Sequence, residues 1–194
     1  MHLFNFAVEP KNICMLRKSL VGSLFVILSL SNFASKANFT DDTPTKKKSV
    51  SAIEEPIEES YLKLANDIQR YAKKFIGTRY QRGGKAAKGF DCSGFVGYVF
   101  KKFDMKLGAC STEMFRLGYD VETCESLPGD LIFFRRGRSP KSGISHVGIV
   151  VESNSKGLKF IHSATSKGVT ISYLKDPYYS AHFVGVKRVI DSFK

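Results

Sequence analysis

Between residues 131 and 190 five short apolar runs follow one another: "LIFF" (131–134), "SHVGIVVE" (145–152), "LKFIHSA" (158–164), "GVTISYL" (168–174) and "HFVGVKRVI" (182–190). They are strand-like, and clusters of glycine, serine or proline separate them over distances that favour hairpins. "LPGD" (127–130) is a turn sequence and marks where this pattern begins. The period before it is different. In "SYLKLANDIQRYAKKFIG", from Ser60, residues Leu64, Ile68, Ala72 and Phe75 recur every three or four positions, and Gly77 closes the run. After Asp91, residues Phe95, Val96, Val99, Phe100 and Phe103 recur in the same way, with Lys101 and Lys102 on the exposed side. A short helix is expected within 111–118, begun by Ser111 or Thr112. Helices first and then a mainly antiparallel sheet of about five to six strands make an α+β fold. No internal repeat is present.

The chain has 194 residues and is 43% hydrophobic, enough for a single core. That core does not begin at the N-terminus. Arg17 and Lys18 precede the apolar "LVGSLFVILSL" (20–30) and the small, polar "SNFASKA", which together read as a signal peptide over 1–37, cleaved after Ala37. The apolar part is short for a bilayer span. Translation from Met15 would give the cleaner signal, so the start at Met1 or Met15 stays open; a retained anchor is the alternative to cleavage. Residues 38–59 are polar, charged and twice interrupted by proline, a flexible linker. The folded domain is therefore expected over 60–194, exported to the periplasm or the extracellular envelope, with no stable membrane insertion after cleavage.

The formal charge is +12, and loss of 1–37 removes four basic residues and one acidic, leaving +9. Such a chain is drawn to polyanions. No basic stripe interleaved with aromatics is present, so nucleic acid is not expected as a partner. Cleavage leaves Cys92, Cys110 and Cys124. An odd count in an exported chain leaves at least one free thiol. A Cys110–Cys124 bridge and two buried thiols are both compatible with the spacing, and either leaves Cys92 unpaired.

Cys92 lies in "GFDCSGFVGYVF" (89–100), where a glycine-rich loop becomes a helix. Asp91 is suited to cap that helix, which places Cys92 in its first turn. The positive end of the helix dipole and the unpartnered N–H groups there favour thiolate and an oxyanion. His146 and His162 lie on adjacent strand-like runs. If these form a hairpin, paired positions have a constant index sum, and an even sum sets both rings on one face. A sum of 308, with a three-residue loop at 153–155, makes them directly opposite; 310 makes them diagonal; an odd sum splits them. A thiol, a base and an orienting imidazole suit nucleophilic catalysis. Two structural histidines in a sheet fit the same residues. Metal is not expected, because the three residues are scattered without short ligand spacing, and nothing calls for a cofactor.

"GFDCSGFVGYVF", "LPGDLIFF", "SHVGIVV" and "FIHSA", in this order, resemble the NlpC family of papain-like bacterial cell-wall cysteine peptidases. The resemblance runs from about residue 62 to 190. It implies a papain-like fold with Cys92 as nucleophile, His146 as base and His162 as the third polar residue. Tyr80, in "GTRYQRGG", matches a tyrosine near the nucleophile that assists the oxyanion or substrate site. Asp91 and Ser93 match residues that help hold the amino end of a wall stem peptide. Arg82 stands where relatives often have an aromatic residue, Gly83 and Gly84 serve loop geometry, and His182 lies outside the motifs. The implied activity is hydrolysis of peptidoglycan stem peptides, between γ-D-glutamate and a diamino acid, by a monomer. A wall amidase or a thioester-based acyltransferase shares the triad, and a non-catalytic wall-binding module is the remaining alternative.

Overall fold

A computed structural model describes residues 54–193. The expected signal peptide and most of the linker lie outside the described residues. The first helix, α1 (Glu54–Lys73), begins six residues before Ser60, so the end of the 38–59 stretch is helical and not linker. Its buried face is Tyr61, Ala65, Ile68 and Ala72, while Leu64 and Phe75 are only partly covered. The helical period was legible; the centre of the apolar stripe is rotated by a fraction of a turn. Gly77 adopts a positive φ and its N–H bonds to Val169 in the sheet.

A small hairpin of β1 (Lys85–Ala86) and β2 (Gly89–Phe90) leads into α2 (Cys92–Lys101). Asp91 is the N-cap of α2, its Oδ1 accepting from Gly94 N–H at 2.6 Å. Such a cap is worth about 1 kcal/mol. Phe95, Val96, Val99 and Phe100 are wholly buried, as their spacing predicts. Gly94 lets the preceding loop sit against the helix, because a Cβ there would lie 2.0 Å from the Gly84 carbonyl oxygen. The short helix expected within 111–118 is α3 (Ser111–Met114).

The sheet has six strands: β3 (Tyr119–Val121), β4 (Leu131–Arg135), β5 (Ile144–Asn154), β6 (Gly157–Ala164), β7 (Gly168–Tyr173) and β8 (Phe183–Arg188), in the spatial order β3-β8-β4-β5-β6-β7. Every pairing is antiparallel. Around the sheet, the edge strand β3 and α4 (Pro177–His182) before β8 have no counterpart in the expected set, and neither do the short strands β1 and β2 nor the 3-10 turn Ile190–Phe193. His182 therefore ends a helix and does not belong to the last strand, and its Nδ1 lies 2.6 Å from the Tyr178 carbonyl oxygen.

Both faces of the central strands are buried, which explains the unbroken apolar run of "LIFF". One face, with Leu131, Phe133, Val147, Ile149 and Ile161, packs on the helices. The other gathers Ile132, Phe134, Val150, Phe160 and Val186 into a second cluster, flanked by Tyr179 and Phe183. Asp130, at the end of the turn "LPGD", is completely buried. Its two oxygens each lie 2.9 Å from a nitrogen of Arg188; Oδ2 also accepts from Leu127 N–H and Oδ1 from the Tyr61 hydroxyl. This pinned carboxylate ties the start of β4 to β8 and to α1. Among the described residues, no helix is long and apolar enough to cross a membrane.

Candidate active site

The hairpin β5–β6 turns on Ser155 and Lys156, with Asn154 opposite Gly157. That pairing has an index sum of 311, which by itself would send His146 and His162 to opposite faces. A bulge at Val151 inserts one residue, and from Val150↔Phe160 and Ile149↔Ile161 onward the sum is 310. The bulge restores even parity and leaves the two histidines diagonal, in place of the directly opposed pair that a loop at 153–155 would give. Gly148 is the position facing His162. Its lack of a side chain is required there: a Cβ would approach Phe160 Cδ2 to 2.8 Å, the Ile161 carbonyl oxygen to 3.0 Å and His162 Cβ to 3.2 Å.

His146 Nε2 and His162 Nδ1 are 2.8 Å apart, the rings perpendicular. His162 Nε2 has two further neighbours, Ser172 Oγ at 3.0 Å and the Tyr179 hydroxyl at 3.2 Å. Each ring nitrogen of His162 therefore has a partner inside an aromatic enclosure of Phe160 and Tyr179, with Phe134 against His146. Burial there disfavours the imidazolium. It lowers His146 to about 4, and burial together with the neighbouring His146 lowers His162 to about 3.

A second bulge shapes the place where α2 meets the sheet. Phe134 pairs with His146 and Arg135 with Ile144, so Ser145 is the extra residue on β5. The sulfur of half-buried Cys92 lies 3.9 Å from the Ser145 carbonyl oxygen, and the Val147 N–H also acts on it. The sulfur is thus held at the β5 backbone by the residues immediately before and after His146. Pairing of β5 with β6 begins only at Ile149↔Ile161, beyond this point. On β6, Ser163 Oγ donates to the Phe90 carbonyl oxygen at 2.8 Å, bringing the segment before α2 against the sheet.

The thiol itself differs from expectation. Burial, and next the Asp91 carboxylate, push its pKa up, while the N–H groups of Val147, Ser93 and Cys92 only partly oppose them. The helix start supplies its donors, but desolvation outweighs them. With both imidazoles held neutral and the thiol held protonated, the resting site is an uncharged thiol and base.

The other expected residues gather around the sulfur. Tyr80 bridges to Phe90 beside the start of α2. Burial raises its hydroxyl, as do Cys92 and Asp91, with Arg82 acting in the opposite direction, so these three groups lie within electrostatic reach of Tyr80. Asp91 Oδ1 accepts from both Gly94 N–H and, at 3.1 Å, Ser93 Oγ–H. Cys110 is a free, exposed thiol, so the bridge to Cys124 that the spacing allows is not formed. Ser172 and Tyr179 were not singled out from the sequence. For Ser172 a signal existed: the even index sum of 332 between β6 and β7 sets it on the face of His162, diagonal to it. Tyr179 lies on α4, whose docking no strand alternation reveals.

Helices packed on a six-stranded antiparallel sheet, with a helix-start cysteine at β5 and an imidazole pair shared between β5 and its neighbour β6, define an α+β protein of the papain-like fold. A crystal structure of an NlpC/P60 family protein from Bacillus cereus ATCC 10987 superposes with a TM-score of 0.60 at 30% identity, over 65% of this chain and 40% of that one. The chain belongs to the NlpC/P60 family, whose family model matches residues 77–188. It is 40% identical over 114 residues to the probable endopeptidase NlpC of Escherichia coli (strain K12), covering 58% of this chain and 70% of the relative. It is 36% identical over 115 residues to the murein DD-endopeptidase MepS/murein LD-carboxypeptidase of the same strain, covering 59% of this chain and 57% of that relative. The chain thus spans well under two thirds of the last relative and of the crystal structure.

Proposed function

We propose that this chain is an exported cysteine endopeptidase that hydrolyses amide bonds in peptidoglycan stem peptides, with Cys92 as nucleophile, His146 as base and His162 as the group that orients it. The observation that carries the reading is the hydrogen-bonded imidazole pair, 2.8 Å apart, beside a sulfur held 3.9 Å from the carbonyl of Ser145. For His146 to act as the base, the two neutral rings take one arrangement of protons. His146 Nε2–H donates to His162 Nδ1, which leaves His146 Nδ1 with a lone pair for the thiol proton; His162 Nε2–H donates to Ser172 Oγ or the Tyr179 oxygen.

Attack proceeds from the neutral pair. His146 Nδ1 takes the proton as the sulfur bonds to the substrate carbonyl carbon, and charge develops on the carbonyl oxygen. The N–H groups of Cys92 and Ser93 at the start of α2 and the Tyr80 hydroxyl are the donors for that oxyanion. Collapse breaks the C–N bond, His146 protonates the departing amine, and a thioester remains on Cys92. Water, deprotonated by His146, then releases the acid and restores the thiol. Asp91 and Ser93, by resemblance to the NlpC family, help hold the amino end of the stem peptide.

By resemblance to the NlpC family, the bond is that between γ-D-glutamate and a diamino acid. Similarity to a relative named a murein DD-endopeptidase favours a second reading, a bond between D-residues. Mass spectrometry of defined stem peptides after incubation separates them, since fragment masses name the bond. Cys92→Ala is expected to abolish fragment release with the fold intact; full activity in that variant would exclude covalent catalysis. A released sugar-linked lactyl product would mark an amidase.

A further inference from the structure

The hydrogen bond between the two imidazoles can run in either direction, because both rings are neutral and either nitrogen of a neutral ring can carry its proton. If His146 Nε2–H donates to His162 Nδ1, His146 Nδ1 keeps a lone pair and His162 carries its proton on Nε2. If His162 Nδ1–H donates instead, His146 carries its proton on Nδ1, has no lone pair there for a thiol, and His162 Nε2 is bare. The choice is made at His162 Nε2. An acceptor at that nitrogen selects the first arrangement, and a donor selects the second.

Two hydroxyls meet it, Ser172 Oγ at 3.0 Å and the Tyr179 oxygen at 3.2 Å. They are not equivalent. A phenol shares its oxygen lone pairs with the ring and ionises at about pH 10, so it is the stronger donor and the weaker acceptor of the two. Ser172 is also the better fixed, since it pairs with Phe160 in the β6–β7 ladder. Tyr179 lies on the six-residue α4, whose N-cap Asp176 makes no side-chain cap hydrogen bond. The hydrogen of Ser172 has a partner of its own: burial raises the Tyr179 hydroxyl and a hydrogen bond from Ser172 acts against it, the direction expected when serine donates and the phenol oxygen accepts. One directed chain then satisfies every group, from His146 Nε2–H to His162 Nδ1, from His162 Nε2–H to Ser172 Oγ, and from Ser172 Oγ–H to the Tyr179 oxygen.

We infer that Ser172 is a positioning residue: its oxygen accepts from His162 Nε2–H and thereby fixes, through both rings, the tautomer that leaves His146 Nδ1 bare for the thiol proton. This role rests on the peptidase reading and adds to it the group that sets the state of the base. Ser172 acts two hydrogen bonds away from the reacting atoms. Tyr179 is the competing donor, and Ser172 keeps it from that role by donating to its oxygen. Ser172→Ala removes the acceptor and leaves the phenol alone at Nε2, so both rings should invert. Losing one hydrogen bond and gaining the opposed one moves the tautomer equilibrium by roughly 10- to 100-fold.

The test reads the protons directly. Long-range proton–nitrogen NMR spectra of the full chain labelled with ¹⁵N-histidine, at neutral pH, distinguish a ring nitrogen that carries hydrogen from a bare one. In the unmodified protein His146 and His162 should both be protonated on Nε2 and bare on Nδ1. Ser172→Ala should move both protons to Nδ1, Ser172→Thr, which keeps the hydroxyl, should show the original pattern, and Tyr179→Phe should leave the pattern as it is, because partly buried Ser172 remains as acceptor with water for its own hydrogen. A Nδ1 proton on His162 in the unmodified protein, an unchanged pattern in Ser172→Ala, or inversion in Tyr179→Phe would each overturn the inference. Hydrolysis of a defined stem peptide decides the reading beneath it. Ser172→Ala is expected to lower kcat by roughly 10- to 100-fold with little change in KM, in step with the tautomer shift, and Ser172→Thr should return both tautomer and rate. If the unmodified protein cuts no stem peptide, the peptidase reading fails while the spectra still judge Ser172. Inverted tautomers with undiminished hydrolysis would leave Ser172 in its role at His162 and remove His146 Nδ1 as the base.

Discussion

Gly148→Ala is the substitution that most directly tests how the imidazole pair is built. Gly148 does not have a positive φ, and in a strand interior alanine would ordinarily stabilise relative to glycine, by roughly 0.5–1 kcal/mol. Packing reverses the sign. The new methyl group would stand 2.8 Å from Phe160 Cδ2, 3.0 Å from the Ile161 carbonyl oxygen and 3.2 Å from His162 Cβ, where ordinary contacts are 3.4–4 Å. Phe160 cannot turn aside, because its ring is packed against Phe134 at 5.0 Å and Tyr179 at 4.9 Å. The Ile161 oxygen belongs to the backbone of β6. Relief therefore comes from moving β6 and His162 away by roughly 0.5 Å or more, which stretches the 2.8 Å imidazole contact toward the limit of a hydrogen bond. Overpacking of this kind costs about 1–3 kcal/mol, and misplacing a positioning group by about 1 Å can cost on the order of 10²-fold in rate. The variant is expected to unfold at lower urea and to lose kcat on a defined stem peptide with little change in KM. Unchanged kcat and unchanged unfolding midpoint together would refute the argument that glycine is there for His162.

Stability should fall with acid in a window set by the two imidazoles. Both are lowered in the folded protein, to about 4 and about 3, so the unfolded chain binds protons first, near pH 6.5. Their contribution is complete above about pH 6.5 and declines by up to about 1.4 kcal/mol per pH unit for each ring as pH falls toward 4. Urea titrations at pH 7, 6 and 5 should show it, and flat stability over that range would contradict the buried neutral pair. The same shift puts the acid limb of kcat/KM below pH 5, and a limb near 6.5 would mean an unshifted base. Asp130→Ala should cost about 3–5 kcal/mol, because Arg188 would keep its charge in a largely buried site without its counterion; a loss below about 1 kcal/mol in urea unfolding would show that Tyr61 and water compensate.

The sequence by itself determined the α2 segment almost completely. Asp91 as cap, Cys92 in the first turn and the buried stripe from Phe95 to Phe100 follow from spacing and capping chemistry within a dozen residues. It likewise determined that five runs after "LPGD" are strands and that the histidines lie on neighbouring ones, because alternation and turn residues act locally. The parity of the β5–β6 register was decided by a bulge at Val151, a choice no residue announces: the two-residue turn alone would have separated the rings. The charge state of the site was decided by tertiary burial as well. A helix start favours thiolate through groups close in the chain, but desolvation comes from strands 50 to 70 residues away, and it is the larger effect. Ser172 and Tyr179 complete the surroundings of His162 for the same reason, since they reach it only once β7 and α4 have docked.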